Sequence, residues 1–353
     1  MTLGLMSMNL LFNKLIKYIA IFTKIKINNL KSTFINVLIL KVSNPTLRVG
    51  RSLTFDLHMN SKIITNSNQI YNDVNIEIQQ GGILHLKEKS WIGSNVTVCA
   101  NNITLGRYSA IHAFGTVIGN VKIGDYVMIA KNVFISSGKH HYDTNFSYLP
   151  IKMQDYIYSQ NSGEFSTPVI IEDDVWIGVN CVVMSGVKIS KGAVIGSNSV
   201  VTKNIEPYSV YAGNPAKFIK KRYDFIPPKS ISAMNKQDYP YFYSGFNIEE
   251  KPFVVKENTA FLETNSIFSL CLNIEDEKYI SLEIQSINQD QELYYNNTSK
   301  TITQDFQTIT YKIEQHTSDI FTFKINTINK YSEDFVFNVK KVFLSNDLFF
   351  DVP

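Results

Sequence analysis

IEDDVWIGVNCVVMSGVKISKGAVIGSNSVV, residues 171–201, returns an aliphatic side chain at every sixth position: Ile171, Ile177, Val183, Ile189, Ile195 and Val201. The same period runs upstream through Leu105, Ile111, Val117, Ile123, Ile129 and Ile135. Six residues are about 1.7 turns of an α-helix, so this spacing gives a helix no common face. It suits a three-sided prism in which each hexapeptide is one flat strand and a corner. Equivalent side chains, such as Ile171 and Ile189, then stack inside it. Small residues after the aliphatic ones (Gly106, Gly124, Ala130, Gly178, Gly196), and small or β-branched ones four positions on (Ser109, Val127, Val175, Ala193), admit tight corners.

Working outward, Leu86, Ile92 and Val98 keep the period but stand one residue out of step with Leu105, which predicts a bulge near Asn101 and Asn102. Residues 46–85 carry fragments of the pattern and read as imperfect first coils. Between Ile135 and Ile171 the pattern stops for a segment rich in aromatic, polar and turn residues, predicting a loop extruded at 137–168; loops this long in compact domains are usually functional. After Val201 the text predicts a turn at Asn214–Ala216, a short basic helix over KFIKKR, and a Pro-Pro linker.

Beyond residue 240 the period becomes two, in YISLEIQSI, IFTFKINTI and FVFNVKKVFL, predicting an antiparallel β domain of sandwich or jelly-roll type. Its approach, YPYFYSGF, offers Tyr239, Tyr241, Phe242 and Tyr243 either as rings that stack on a polymeric saccharide or as packing for the linker. Residues 1–45 read as an arm of one or two amphipathic basic helices with Leu11, Leu15, Ile19 and Phe22 on one stripe. The expected organisation is this arm, a parallel β-helix over 46–222, and a linker with a β domain over 223–353.

Composition narrows the function classes. The 353 residues are 44% hydrophobic and 18% charged, inside the globular range. Three cysteines match no zinc or disulfide framework, so a reducing, cytoplasmic setting is expected. Lys14, Lys17, Lys24 and Lys26 interrupt the N-terminal apolar run, which argues against a spanning helix and for a contact with the inner face of a membrane. Residues 1–222 hold 23 Lys+Arg against 12 Asp+Glu, whereas 223–353 hold 11 against 19. The basic part suits an anionic ligand or glycan, and the acidic part argues against nucleic acid as the partner of the whole chain.

The run VWIGVNCVVMSGVKISKGAVIGSNSVVTKNIEPYSVYAGNPAKFIKKR resembles the C-terminal coils of the left-handed β-helix acetyltransferases, a family that includes galactoside, maltose, nodulation-factor and xenobiotic acetyltransferases. The resemblance covers roughly residues 105–222. It implies left-handed coils, a homotrimer with active sites between neighbouring subunits, acetyl-CoA as cosubstrate, no metal, and a saccharide or polysaccharide acceptor such as a capsule.

Acyl transfer to a hydroxyl needs a base, and histidine suits it. The loop opens SSGKHHYD, and the family's H-x-x-D pattern picks His140 with Asp143, leaving His141 as competitor. The alternative is a pair of ordinary exposed loop histidines. By resemblance, Glu164 orients the base, the Val179 amide is the oxyanion donor, and Trp176 flanks the pantetheine channel with Gly178, Ser197 and Thr202. Trp176 reads equally as a cover for the prism edge. Lys203, Lys217 and Lys220 stand where the family places its phosphate-facing cations, and Asn214 and Pro215 of AGNPAK join the coenzyme-binding set, although KFIKKR also reads as a solvated basic helix. Where galactoside acetyltransferase holds its sugar with an acidic residue, this chain has Ile118, so acceptor recognition must differ.

Three other functions compete. A zinc hydratase would need three imidazoles, drawn from His112, His140 and His141. A scaffold binding a glycan without chemistry would have no use for both a loop histidine and the coenzyme lysines. N-acylation of an amino sugar is scarcely separable from O-acylation. The reading that uses most of these residues is acetyl-CoA-dependent O-acetylation of a surface polysaccharide by histidine general-base catalysis.

Overall fold

The computed structural model describes residues 25–27, 48–49, 53–58, 60–65, 68–142, 144–161, 166–246, 261–287, 289–313, 319–325 and 336–347. Contacts divide the chain into two units, Met1–Asp224 and Phe225–Pro353.

The first unit is a parallel β-solenoid. Its short strands stack into three columns, one per face. On the first face Val98, Val117, Ile135, Val183 and Val201 are successive partners. On the second they are Leu105, Ile123, Ile171 and Ile189, with Ile205 bridged below. On the third they are Ile70, Ile92, Ile111, Ile129, Ile177 and Ile195, ending at Tyr211. Every aliphatic position of the two hexapeptide series is buried in one continuous core. Each such side chain contributes about 1.5–3 kcal/mol by leaving water, so the ladder is the main source of stability.

The slip near Asn101 is a bulge: Ala100 pairs Gly119 and Asn102 pairs Asn120, leaving Asn101 without a counterpart. Among the described residues, Arg48–Val49, Leu53–Leu57, Lys62–Thr65, Gln69–Ile70 and Asn75–Leu86 are strands of the first coils. The corners bend through left-handed backbone at Asn132, Asn180 and Asn198, whose φ values are 58° to 59°. Their side-chain amides link coil to coil, Asn132 donating to Asn180 at 2.8 Å and Asn180 to Asn198 at 3.0 Å. Gly106 is required for a different reason, since a Cβ there would lie 2.0 Å from the Gly124 carbonyl oxygen.

Three expectations need correction. KFIKKR is not helical: Lys217–Lys221 is a strand running antiparallel to Ser209–Ala212, and it covers the last edge of the third face. Ile25–Ile27, within the expected helical arm, is a strand paired with Leu53–Phe55; the rest of that arm lies outside the described residues. The loop is not purely irregular, for Ile151–Asn161 is an α-helix.

The second unit is a network of antiparallel strands, nine among the described residues. Its core holds Tyr241, Phe242, Phe246, Phe268, Phe323 and Phe337. The rings of YPYFYSGF therefore belong to the core of their own unit: Tyr241, Phe242 and Tyr243 are buried and Tyr239 packs against them. The expectation that they grip a saccharide is not met, because rings with water excluded from their faces cannot stack on a ligand.

A buried charge cluster crosses the corner between the second and third faces of the solenoid. Arg107 meets Asp125 through Nε at 2.9 Å and Nη2 at 2.7 Å, and Asp125 donates its backbone N–H to Asp173 Oδ1 at 2.8 Å. Burial, then the neighbouring Asp125 carboxylate, push Asp173 up to about 6. A raised carboxyl pKa means that folding favours the neutral form. Asp173 therefore takes stability away as pH rises from its unfolded value of about 3.9 through the folded one. Asp173→Asn keeps the Oδ1 acceptor without the charge. Its melting temperature relative to the parent should be more favourable at about pH 7 than at about pH 4. A relative loss at the higher pH would contradict this assignment.

Candidate active site

The loop leaves the solenoid at the corner between its first and second faces and returns to the same corner. Ser137 clamps both ends: its carbonyl accepts the Thr167 N–H at 3.0 Å and the Ser185 hydroxyl at 2.5 Å, and its hydroxyl accepts the Asn120 N–H at 2.8 Å. Asn120 Nδ2 donates to Ser166 Oγ at 2.8 Å. The helix Ile151–Asn161 starts at Pro150, whose fixed φ suits a first turn and whose carbonyl accepts the Met153 and Gln154 N–H groups. Gln154 is buried and ties the helix to the loop, accepting from Thr144 Oγ1 at 2.7 Å and donating to the Leu149 carbonyl at 2.8 Å.

One residue further along this helix, Asp155 faces both loop histidines. Its Oδ2 lies 2.6 Å from His140 Nδ1; its Oδ1 accepts the His141 backbone N–H at 2.7 Å and lies 3.3 Å from His141 Nδ1. The His141 amide first, and the His140 imidazole next, hold the Asp155 carboxyl below the usual carboxylate range. The two rings differ in access: the His140 side chain is 79% exposed and that of His141 12%. His140 lines a cleft of about 500 Å³ with Lys139, Asp155, Phe134, Met184 and Ser185, and His141 does not line it.

A carboxylate on an imidazole was expected, but from other residues. Asp143 and Glu164 lie outside the described residues, and Asp155 had escaped notice. The signal available was Pro150 followed by a stretch free of glycine, which marks a helix; nothing in the sequence aims its second turn at His140.

The expected donor residues lie on the third face and the final coil. Trp176 points outward, half exposed, between Met128 and Val194, its partners in register. It lines a second cleft, of about 450 Å³, with Tyr126, Met128, Asp174, Lys220 and Arg222. Arg222, not singled out from sequence, is fixed by Asp174 at 3.0 Å and the Gly192 carbonyl at 2.9 Å. The Val179 carbonyl accepts the Asn198 N–H at 2.8 Å, whereas its own N–H has no acceptor among the described residues. Gly178 is needed for packing, since a Cβ would meet the Ser197 nitrogen at 2.7 Å. Ser197, Thr202, Lys203, Asn214, Pro215 and Lys217 are exposed on the last coil and its hairpin, outside this cleft's lining. His112 packs against Trp91, with ring centroids 4.6 Å apart, on the third face rather than at the loop.

Residues 168–203 match the family described as the hexapeptide repeat of succinyl-transferase. A probable macrolide acetyltransferase of Lysinibacillus sphaericus is 38% identical over 118 residues, 32% of this chain and 66% of the relative. The galactoside O-acetyltransferase of Escherichia coli K12 is 30% identical over 165 residues, 46% of this chain and 70% of the relative. Among solved structures, the polySia specific acetyltransferase NeuO matches at 23% identity over 55% of this chain and 84% of that one, with a TM-score of 0.41. The chain belongs to the hexapeptide-repeat acetyltransferases.

Because its folded pKa is depressed, the Asp155 carboxylate keeps its contacts above the ordinary carboxylate value of about 3.9 and loses them as pH falls through the lower folded one. The His141 amide should therefore stay protected from hydrogen exchange down to about pH 4. In Asp155→Ala it should exchange at least about tenfold faster at neutral pH. Equal exchange in parent and variant would show that this contact does not order the loop.

Proposed function

We propose that this acetyltransferase moves the acetyl group of acetyl-CoA directly to a hydroxyl of a surface polysaccharide, with His140 as general base. The observation that carries the reading is Asp155 Oδ2 at 2.6 Å from His140 Nδ1, in a ring that is otherwise open to the cleft. A carboxylate accepting from Nδ1–H leaves the Nε2 lone pair free, which is the tautomer a base requires. Nε2 takes the acceptor hydroxyl proton as that oxygen attacks the thioester carbonyl. The carbon–sulfur bond then breaks, and the proton passes to the coenzyme sulfur. The Val179 N–H, with no acceptor among the described residues, is suited to hold the developing oxyanion. Lys203, Lys217 and Lys220 supply point charges for the coenzyme phosphates.

The His140 cleft and the Trp176 cleft have no lining residue in common. We read them as two half-sites that meet between copies of the chain in a homotrimer. In this reading each coenzyme lies against the third face of one subunit and meets the loop of the next.

With acetyl-CoA and an oligosaccharide, His140→Ala should lower kcat by at least about a hundredfold while coenzyme binding persists, and His141→Ala should cost less. The reverse order would transfer the role to His141. The product should be an ester, released by hydroxylamine; a resistant linkage would indicate an amine acceptor. Mixed trimers of His140→Ala with Trp176→Ala chains should regain activity absent from either parent, and failure to do so would count against a shared site.

A further inference from the structure

On the third face the outward side chains run in register from Gln69 through Trp91, Ala110, Met128 and Trp176 to Val194. Trp91 thus stands three strands from Trp176, about 14 Å along the same column at the usual strand spacing. Around it is a cluster that the donor groove does not use. Tyr71 meets Trp91 edge-on, with centroids 5.6 Å apart and planes at 71°, and His112 meets its other side at 4.6 Å and 66°. Each of the three is next to a buried isoleucine of the ladder, Ile70, Ile92 or Ile111, and so points away from the core.

The polar edges of this cluster are uncommitted. Among the described residues, the Tyr71 hydroxyl, the Trp91 indole N–H and the His112 ring nitrogens make no hydrogen bond. Burial, then Lys131, hold the His112 pKa below its ordinary value, so the ring is neutral at physiological pH and offers one donor and one acceptor. Partly exposed rings with unused hydrogen-bonding edges suit a ligand that has apolar C–H faces and a rim of hydroxyls. A purely apolar partner would leave these donors without acceptors as it covered them.

We propose that Tyr71, Trp91 and His112 form a saccharide-binding platform, a subsite that holds an acceptor chain along the third face beyond the acyl-donor groove. The proposal rests on the acetyl-transfer reading for its direction, because the platform continues the column that carries Trp176. Sugar rings stack on Trp91 and Tyr71, and His112 hydrogen-bonds the hydroxyls. Remote contacts of this kind hold an extended acceptor in place for the reacting hydroxyl.

The chain has two tryptophans, Trp91 and Trp176, so Trp176→Phe leaves Trp91 as its one indole reporter. Hexasaccharides of glucose, N-acetylglucosamine and sialic acid are titrated into this variant without acetyl-CoA, following indole emission, and into the unmodified chain by calorimetry. The expected result is saturable binding of at least one of them, weakened about fivefold or more by Tyr71→Ala and by the conservative Trp91→Phe, and unaffected by His140→Ala. Failure of all three sugars to bind by both methods overturns the platform. So does a fall in oligomer mass on Trp91→Ala, which would make this face a subunit contact. Binding without any acetyl transfer would instead sink the enzymatic reading and leave the platform standing, whereas transfer to a hexasaccharide with Trp91 unaffected would do the opposite.

Discussion

Coil-on-coil register is the constraint on which the rest of the first unit depends. Half of its described strands are two residues long and have no stability alone; each exists because an equivalent stretch is paired beside it in the column. Register holds only if inward residues recur at a fixed interval, and the packed ladder of isoleucine and valine enforces this by leaving no room for a slip. The slip that does occur, at Asn101, is absorbed as a bulge on the surface while the interior column continues.

This lattice tolerates a large insertion at one corner. Asn132 bonds to Asn180, 48 positions on, in the same geometry in which Asn180 bonds to Asn198, 18 positions on. The solenoid resumes as though the intervening 30 residues (48 − 18) were absent. Ser137, where the insertion begins, is bonded to Thr167, where it returns, and to Ser185 of the neighbouring coil, so the loop is launched from a rigid edge. Its own helix then supplies the Asp155 carboxylate that faces His140. Rigid coils thus carry the groove residues, and a braced loop carries the histidine proposed as base. Catalysis by positioned groups asks for this division, since a displacement of about an ångström at the reacting atoms is costly.

What could be read from sequence was whatever the lattice dictates. The hexapeptide positions, the slip at Asn101 and the outward placement of Trp176 all follow from a period, and a period is visible in one chain. Pairings made across the lattice by chain folding were not visible. Asp155 meets His140 because a helix turns back over the loop, and no spacing rule connects residues 15 apart through an irregular segment. The KFIKKR segment has the composition of a solvated helix, yet the open edge of Ser209–Ala212 draws it into a strand; tertiary demand overrides propensity there. Likewise the rings of YPYFYSGF gave no sign of which surface they would meet, and the C-terminal unit takes them into its core. The Tyr71, Trp91 and His112 cluster was hidden for the same reason, since its members are about 20 residues apart and become neighbours only through stacking.

The central claim is that a histidine held by Asp155 removes the acceptor proton. Its most direct measurement is the steady-state rate of acetyl transfer to an oligosaccharide by Asp155→Asn beside the parent, with both substrates saturating and then varied. Loss of the carboxylate should lower kcat by about tenfold or more, with the KM for acetyl-CoA unchanged, because the tautomer and orientation of the base are lost while the donor groove is intact. An unchanged kcat, or an effect confined to the KM for acetyl-CoA, would contradict the account.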